Sequence, residues 1–252
     1  MPASEAAYAF AVVCEARADQ LTACGLADRV LLEGVDWLEE ELLDSSRNWR
    51  GETPGEEFLK WARVKDRAAE RGIRTFGRFD DRPDALSARK ALLLLSDLEP
   101  RPAAVLLIRD SDGYADRKDG QGLKQARDAA PWPFKVIVGV AHPKREAWVL
   151  AGFQPRNQAE SDRLQKLQKR LSTDPIRKSH ELDAREHGAK TDIKRALGEL
   201  IQEGDEDREL QCLRETEFEV LEQMGKDNGL AAYLDELRQR LVPILSGRAP
   251  GL

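Results

Sequence analysis

The sequence predicts an α/β fold: a mainly parallel sheet flanked by helices, with a helical C-terminal portion. Three observations predict it. The runs YAFAVVC (residues 8–14), AAVLLIR (103–109) and FKVIVGVA (134–141) are short and almost unbroken in apolar residues, as strands covered on both faces are. Each is followed by a turn or a charged residue and then by a helix-forming stretch, which is the rhythm of α/β units. Beyond about Pro155 the apolar runs stop and the chain becomes charged and helical in pattern.

In chain order, residues 8–14 form the first strand and lead directly into EARADQLTACGLADRVL, where Leu21, Cys24 and Leu26 recur at helical spacing. Residues 34–81 lose this pattern. Trp37, Trp49 and Trp61 are scattered among Glu, Arg and Gly, with a turn at Thr53-Pro54-Gly55, so the stretch reads as an insertion with one or two short helices. DALSARKALLLLSDL (84–98) is a strong helix, with Asp84 as N-cap candidate and Pro100 beyond its end. The apolar run from Ala103 ends in the Asp- and Gly-rich turn RDSDG. The helix QGLKQARDAA, the strand at 134–141 and the turn-helix HPKREAWVLAGF follow. The division expected is a domain over 1–155, interrupted by the insertion, and a helical extension over 156–252.

Composition bounds the function classes. Of 252 residues, 41% are hydrophobic and 34% charged, so a core of ordinary size carries an extensively solvated helical surface. No apolar run approaches the roughly 20 residues that span a bilayer, and MPASEAAYAF lacks the pattern of a signal peptide. The three cysteines, Cys14, Cys24 and Cys212, fit neither a disulfide framework nor a zinc motif. The expectation is a cytoplasmic protein with no membrane partner. A net charge of -6 argues against coating nucleic acid by bulk electrostatics, but leaves room for an acidic metal site beside a local basic track.

Chemistry-bearing residues gather at the predicted strand ends. Glu15 follows the first strand, and Asp110 and Asp112 follow the second. Ligands of open parallel sheets collect outside the carboxyl ends of strands. Carboxylate oxygens there suit Mg2+ or Mn2+, which can activate water and stabilise a phosphodiester's leaving oxygen. Each residue also has a plainer reading. Asp and Gly favour turns, and an acid in the first turn of a helix complements its dipole. His142, close after the third strand, is a further candidate to contact substrate. Lys166, Lys169 and Arg170 offer an electrostatic track for a phosphate backbone, or simply the solvated face of an amphipathic helix.

VVCEARAD, LLIRDSDG and HPKREAWVLAGF together resemble the Toprim domain, in particular compact bacterial Toprim-like nucleases of the OLD family. The match covers roughly residues 8–153 without the 34–81 insertion, and departs from the family where Glu-Gly becomes Glu15-Ala16. The resemblance implies a metal-dependent endonuclease in which Glu15 is a metal-linked acid or general base. Asp110 and Asp112 would be metal ligands, and Glu146 a second-metal ligand or its neighbour. Trp148 reads as a core anchor. Related nucleases place a basic residue after this helix to stabilise charge on the scissile phosphate, which points to Lys190 or Lys194, four apart and on one face if a helix forms there. His180 and His187 lie near this segment and read as packing or surface residues. The resemblance also implies nucleic acid as partner, DNA before RNA, a separate ATPase chain (no G-x-x-x-x-G-K-[ST] occurs), and a part in antiviral defence. A homo-oligomer is compatible with it. The contrasting expectation is a non-catalytic binding or regulatory subunit that keeps the fold.

Overall fold

The computed structural model describes residues 8–75, 82–201 and 205–247. Residues 76–81 of the insertion, and residues 1–7 read above for a signal peptide, lie outside the described residues.

The expected class is what the chain adopts. Strand β1 (Tyr8–Cys14) feeds helix α1 (Arg17–Gly34), α2 (Glu40–Ser46) leads straight into β2 (Arg47–Arg50), and β3 (Leu59–Lys60) into α3 (Trp61–Glu70). Helix α4 (Ala85–Ser96), β4 (Ala104–Asp110), α5 (Gln121–Asp128) and β5 (Lys135–Ala141) complete the α/β part. Helices α6 (Glu146–Ala151), α7 (Gln158–Leu171), α8 (Ile193–Leu200), α9 (Glu206–Arg214), α10 (Phe218–Met224), α11 (Leu230–Arg240) and α12 (Val242–Ser246) follow.

The sheet order is β2-β1-β4-β5, with β3 also paired to β1. β1 runs parallel to β2, β3 and β4, in register Phe10 to Ala104 and Val13 to Leu107. Phe10 to Cys14 of β1 and Ala104 to Leu107 of β4 are wholly buried, which explains their unbroken apolar sequence. The insertion contributes both short helices and two strands to this sheet.

The chain forms two compact units. The first comprises the described residues of 1–109, 120–139 and 233–252, and the second 110–119 and 140–232. In the first, α4 packs on α3 and α5, and α1 on α12. In the second, all six residues of α6 are buried because α8, α9 and α10 pack around it. Trp148 is 1% exposed there, and its Nε1–H donates to Asn228 O at 3.0 Å. Among the described residues no helix is long and apolar enough to cross a membrane.

Candidate functional site

Glu15 belongs to the first unit, at the junction of β1 and α1. The backbone there is fixed by Asp19, whose carboxylate accepts the Ala16 N–H at 2.9 Å. The Glu15 side chain is 39% exposed and its Oε1 lies 2.9 Å from Arg109 Nη1. Arg109 also reaches Asp84 Oδ1 at 3.2 Å and places its guanidinium 5.5 Å from the centre of the Trp61 ring. Asp84 does occupy the N-cap position of α4, with φ at +66°, but its side chain makes no capping hydrogen bond; Arg109 draws the carboxylate instead.

The D-S-D-G turn opens the second unit and is tied to the turn after β5 residue by residue. Arg145 N–H donates to Asp110 Oδ1 at 2.9 Å, Ser111 N–H to Ala141 O at 2.9 Å, and Asp112 N–H to Pro143 O at 2.9 Å. Ser111 is wholly buried, and its Oγ lies 2.7 Å from His142 Nδ1 and 3.3 Å from Pro143 O. Asp112 adopts φ +52° and Gly113 φ +71°, the left-handed conformation that Asp tolerates and Gly adopts at no cost. The Asp112 carboxylate lies between Arg117 Nη1 at 3.5 Å and Lys144 Nζ at 3.7 Å.

Glu146 begins α6 and is buried. Its Oε1 is 3.8 Å from Arg145 Nη2 and 4.0 Å from Lys194 Nζ, while Oε2 has no hydrogen-bond partner. Arg145 engages Glu209 more closely, at 2.6 Å. Lys194 is therefore beside Glu146, but Lys190 is not on its helix. Asp192 caps α8, accepting Lys194 N–H, and the helix starts only at Ile193. Lys190 lies in the preceding turn, where its carbonyl accepts from Arg170 Nη1 at 2.7 Å.

The remaining basic candidates lie on α7. Lys166 and Lys169 are exposed, and Arg170 pairs with Glu199 at 3.0 Å. His142 is buried and its pKa is pushed down, first by loss of solvent and then by Lys118, with Asp183 opposing. It is held as a neutral ring against Ser111 rather than presented to solvent. His180 lies 3.9 Å from Glu181, and His187 is exposed.

The donor chemistry suits a hard divalent cation, and the buried Glu146 Oε2 is an oxygen lacking any donor. The arrangement suits one less well. Among the described residues no group of three or more His, Cys, Asp or Glu side chains is gathered to hold a metal ion. Glu15, Asp112 and Glu146 are each met by the chain's own Arg or Lys, at the distances given above.

Two of the cavities among the described residues have charged walls. One, of about 390 Å3 in the first unit, sets Arg63, Arg67 and Arg71 against Glu52, Asp66 and Glu70. Its charges largely cancel, since Glu52 pairs with Arg67 at 2.8 Å and Arg71 at 2.6 Å. The other, of about 340 Å3 in the second unit, is lined by Asp112, Tyr114, Arg117, Lys144 and Arg185.

Sequence reasoning missed Arg109, Ser111, Arg117, Lys144 and Arg185. Ser111 and Arg109 flank Asp110 directly, which was the one signal available for them. Comparison with known proteins finds no family model, no curated protein and no solved structure that matches this chain.

Proposed function

We propose that the chain is a divalent-metal-dependent phosphodiesterase acting on nucleic acid, a nuclease of Toprim type. The observation that supports this most is topological. β1 and β4 are adjacent parallel strands, one followed by Glu15 and the other ending in Asp110 before a Ser-Asp-Gly turn. That strand order agrees with the resemblance, and the carboxyl ends of parallel strands are where α/β sheets commonly bind ligands.

In this reading Asp110, Asp112 and Glu146 of the second unit hold Mg2+ or Mn2+. Glu15, in the first unit, takes its role as metal-linked acid from the resemblance alone. The metal, when bound, supplies an activated water and stabilisation of the leaving oxygen. The chain's own residues do the rest. Lys194, 58% exposed beside Glu146, supplies a compact positive charge for the phosphate. Lys190 is the second candidate for that charge. The buried Ser111–His142 pair fixes the turn that carries both aspartates, and His142 acts by positioning rather than by touching substrate. Lys166, Lys169 and Arg170 extend a basic track along α7. The protein acts in the cytoplasm on DNA before RNA, alone or as a homo-oligomer, with any nucleotide-driven motor on a separate ATPase chain, and serves antiviral defence.

A second reading has its own observation. Protein cations already meet Glu15, Asp112 and Glu146, as they would in a regulatory subunit that keeps the fold and binds a partner without catalysis. Incubation with plasmid DNA and structured RNA in Mn2+ or Mg2+ separates the two. Cleavage by the native chain that disappears in Asp110→Ala/Asp112→Ala establishes the nuclease. Intact nucleic acid under all conditions, together with no calorimetric metal binding, leaves the binding subunit.

A further inference from the structure

The second unit's cavity has three cations and one carboxylate on its wall: Arg117, Lys144 and Arg185 around Asp112. The chain as a whole carries -6, and the loop that supplies Asp112 also holds Asp116 and Asp119, neither of which lines this cavity. The positive excess is therefore local and comes from three separate stretches of chain.

It is also braced. The Tyr114 ring is 41% exposed yet has the Arg185 guanidinium 3.8 Å and the Arg117 guanidinium 5.2 Å from its centre. The negative face of the ring attracts each of these cations. Arg185 Nη2 also donates to Gly113 O at 3.3 Å. Gly113 itself approaches Asp183 O so closely that a side chain at this position would meet it at 2.7 Å. The two arginines are thus held in place before any ligand arrives, which is what reduces the ordering cost of binding. A guanidinium fork and an ammonium point charge together match the oxygens of a phosphate.

We propose that this cavity is a phosphate seat: Arg117, Lys144 and Arg185 bind one phosphodiester group of a nucleic-acid strand, and Asp112 is the counter-ion that the phosphate competes with. The nature of the anion rests on the phosphodiesterase reading. The seat itself is a matter of binding and is tested without metal or turnover.

The experiment is fluorescence anisotropy of a labelled single-stranded oligodeoxynucleotide with the full chain in EDTA, over a series of salt concentrations. Arg117→Gln and Arg185→Gln each weaken binding about tenfold and lower the slope of log affinity against log salt by about one. Arg185→Lys keeps the charge but loses the fork and its support on Tyr114, and retains only part of the affinity. Asp112→Asn removes the competing carboxylate and tightens binding, although the same change removes metal-dependent cleavage. Unchanged affinity and slope in both glutamine variants, or weaker binding in Asp112→Asn, overturns the seat. Cleavage in Mn2+ is read separately. A chain that binds through these residues but neither cleaves nor binds Mn2+ refutes the nuclease and keeps the seat; one that cleaves with unaltered binding in the variants does the reverse.

Discussion

Arg208 grips Glu160 through two parallel N–H donors, Nε to Oε1 at 3.0 Å and Nη2 to Oε2 at 2.9 Å, with both side chains 8% exposed. Glu160 is in the first turn of α7, where its Oε2 also accepts Arg156 N–H at 2.9 Å. The pair joins α7 to α9 within the second unit. Removing the guanidinium leaves a buried carboxylate without its main partner, so Arg208→Ala costs about 3–5 kcal/mol, read from urea unfolding. Adding Glu160→Gln to that variant recovers part of the loss, because the stranded charge goes with it. The Arg208 hydrogen bonds hold the Glu160 carboxyl below its ordinary value of 4.5 despite burial. A lowered carboxyl contributes stability above its unfolded pKa and loses it as pH falls through the folded one. The native chain should therefore lose this contribution on acidification below about pH 4.5, and Arg208→Ala should show a flatter acid limb.

Ser111 and His142 give a dependence at higher pH. Burial pushes the His142 pKa below its ordinary 6.5, and Lys118 adds to this. The folded state therefore takes up a proton less readily than the unfolded one. Stability is fully present above pH 6.5 and declines as pH falls below it. His142→Gln should remove that decline, measured as melting temperature between pH 7.5 and 5.5. Ser111→Ala leaves His142 Nδ1 without its 2.7 Å partner and costs about 1–3 kcal/mol at neutral pH.

Glu146 Oε2 separates a metal site from a structural acid. Glu146→Gln exchanges one unpartnered buried atom for another, so metal-free stability changes by less than about 1 kcal/mol. Under the nuclease reading, Mn2+ binding by calorimetry weakens about tenfold to a hundredfold or more. Equal Mn2+ affinity in the two proteins would remove Glu146 from the site.

What the sequence reveals follows from what each element buries. β1, β4 and β5 were legible because strands covered on both faces must be apolar throughout, and Phe10 to Cys14 show it. β2 and β3 were not: RNWR and LK are too short to show a period, although Leu59 is fully buried and Trp49 meets Phe10, and both strands pair with β1 through the backbone. The positions of Asp110 and Asp112 at a strand end could be read from local composition. Their partners could not, because Ser111 meets His142 and Tyr114 meets Arg185 only through the fold. The start of α8 was readable in principle. Asp192 before IKRAL is an ordinary N-cap signal, and it separates Lys190 from the helix that carries Lys194.

Gly113 links the turn's backbone to the proposed phosphate seat. Its φ of +71° is unfavourable for alanine, and an added Cβ would press on Asp183 O at 2.7 Å. Both partners in that contact are backbone-anchored, so neither can rotate away. Gly113→Ala must then either accept about 1–3 kcal/mol of strain or move the 112–114 segment away from Asp183. Movement displaces the carbonyl that Arg185 Nη2 uses and the Tyr114 ring against which its guanidinium rests. Oligonucleotide affinity in EDTA should fall part of the way to that of Arg185→Gln, while Glu160 and Arg208 keep the rest of the second unit folded. Proteolysis of the 110–119 loop measures the displacement directly, and faster cutting there with unchanged affinity would show that the seat does not depend on this turn.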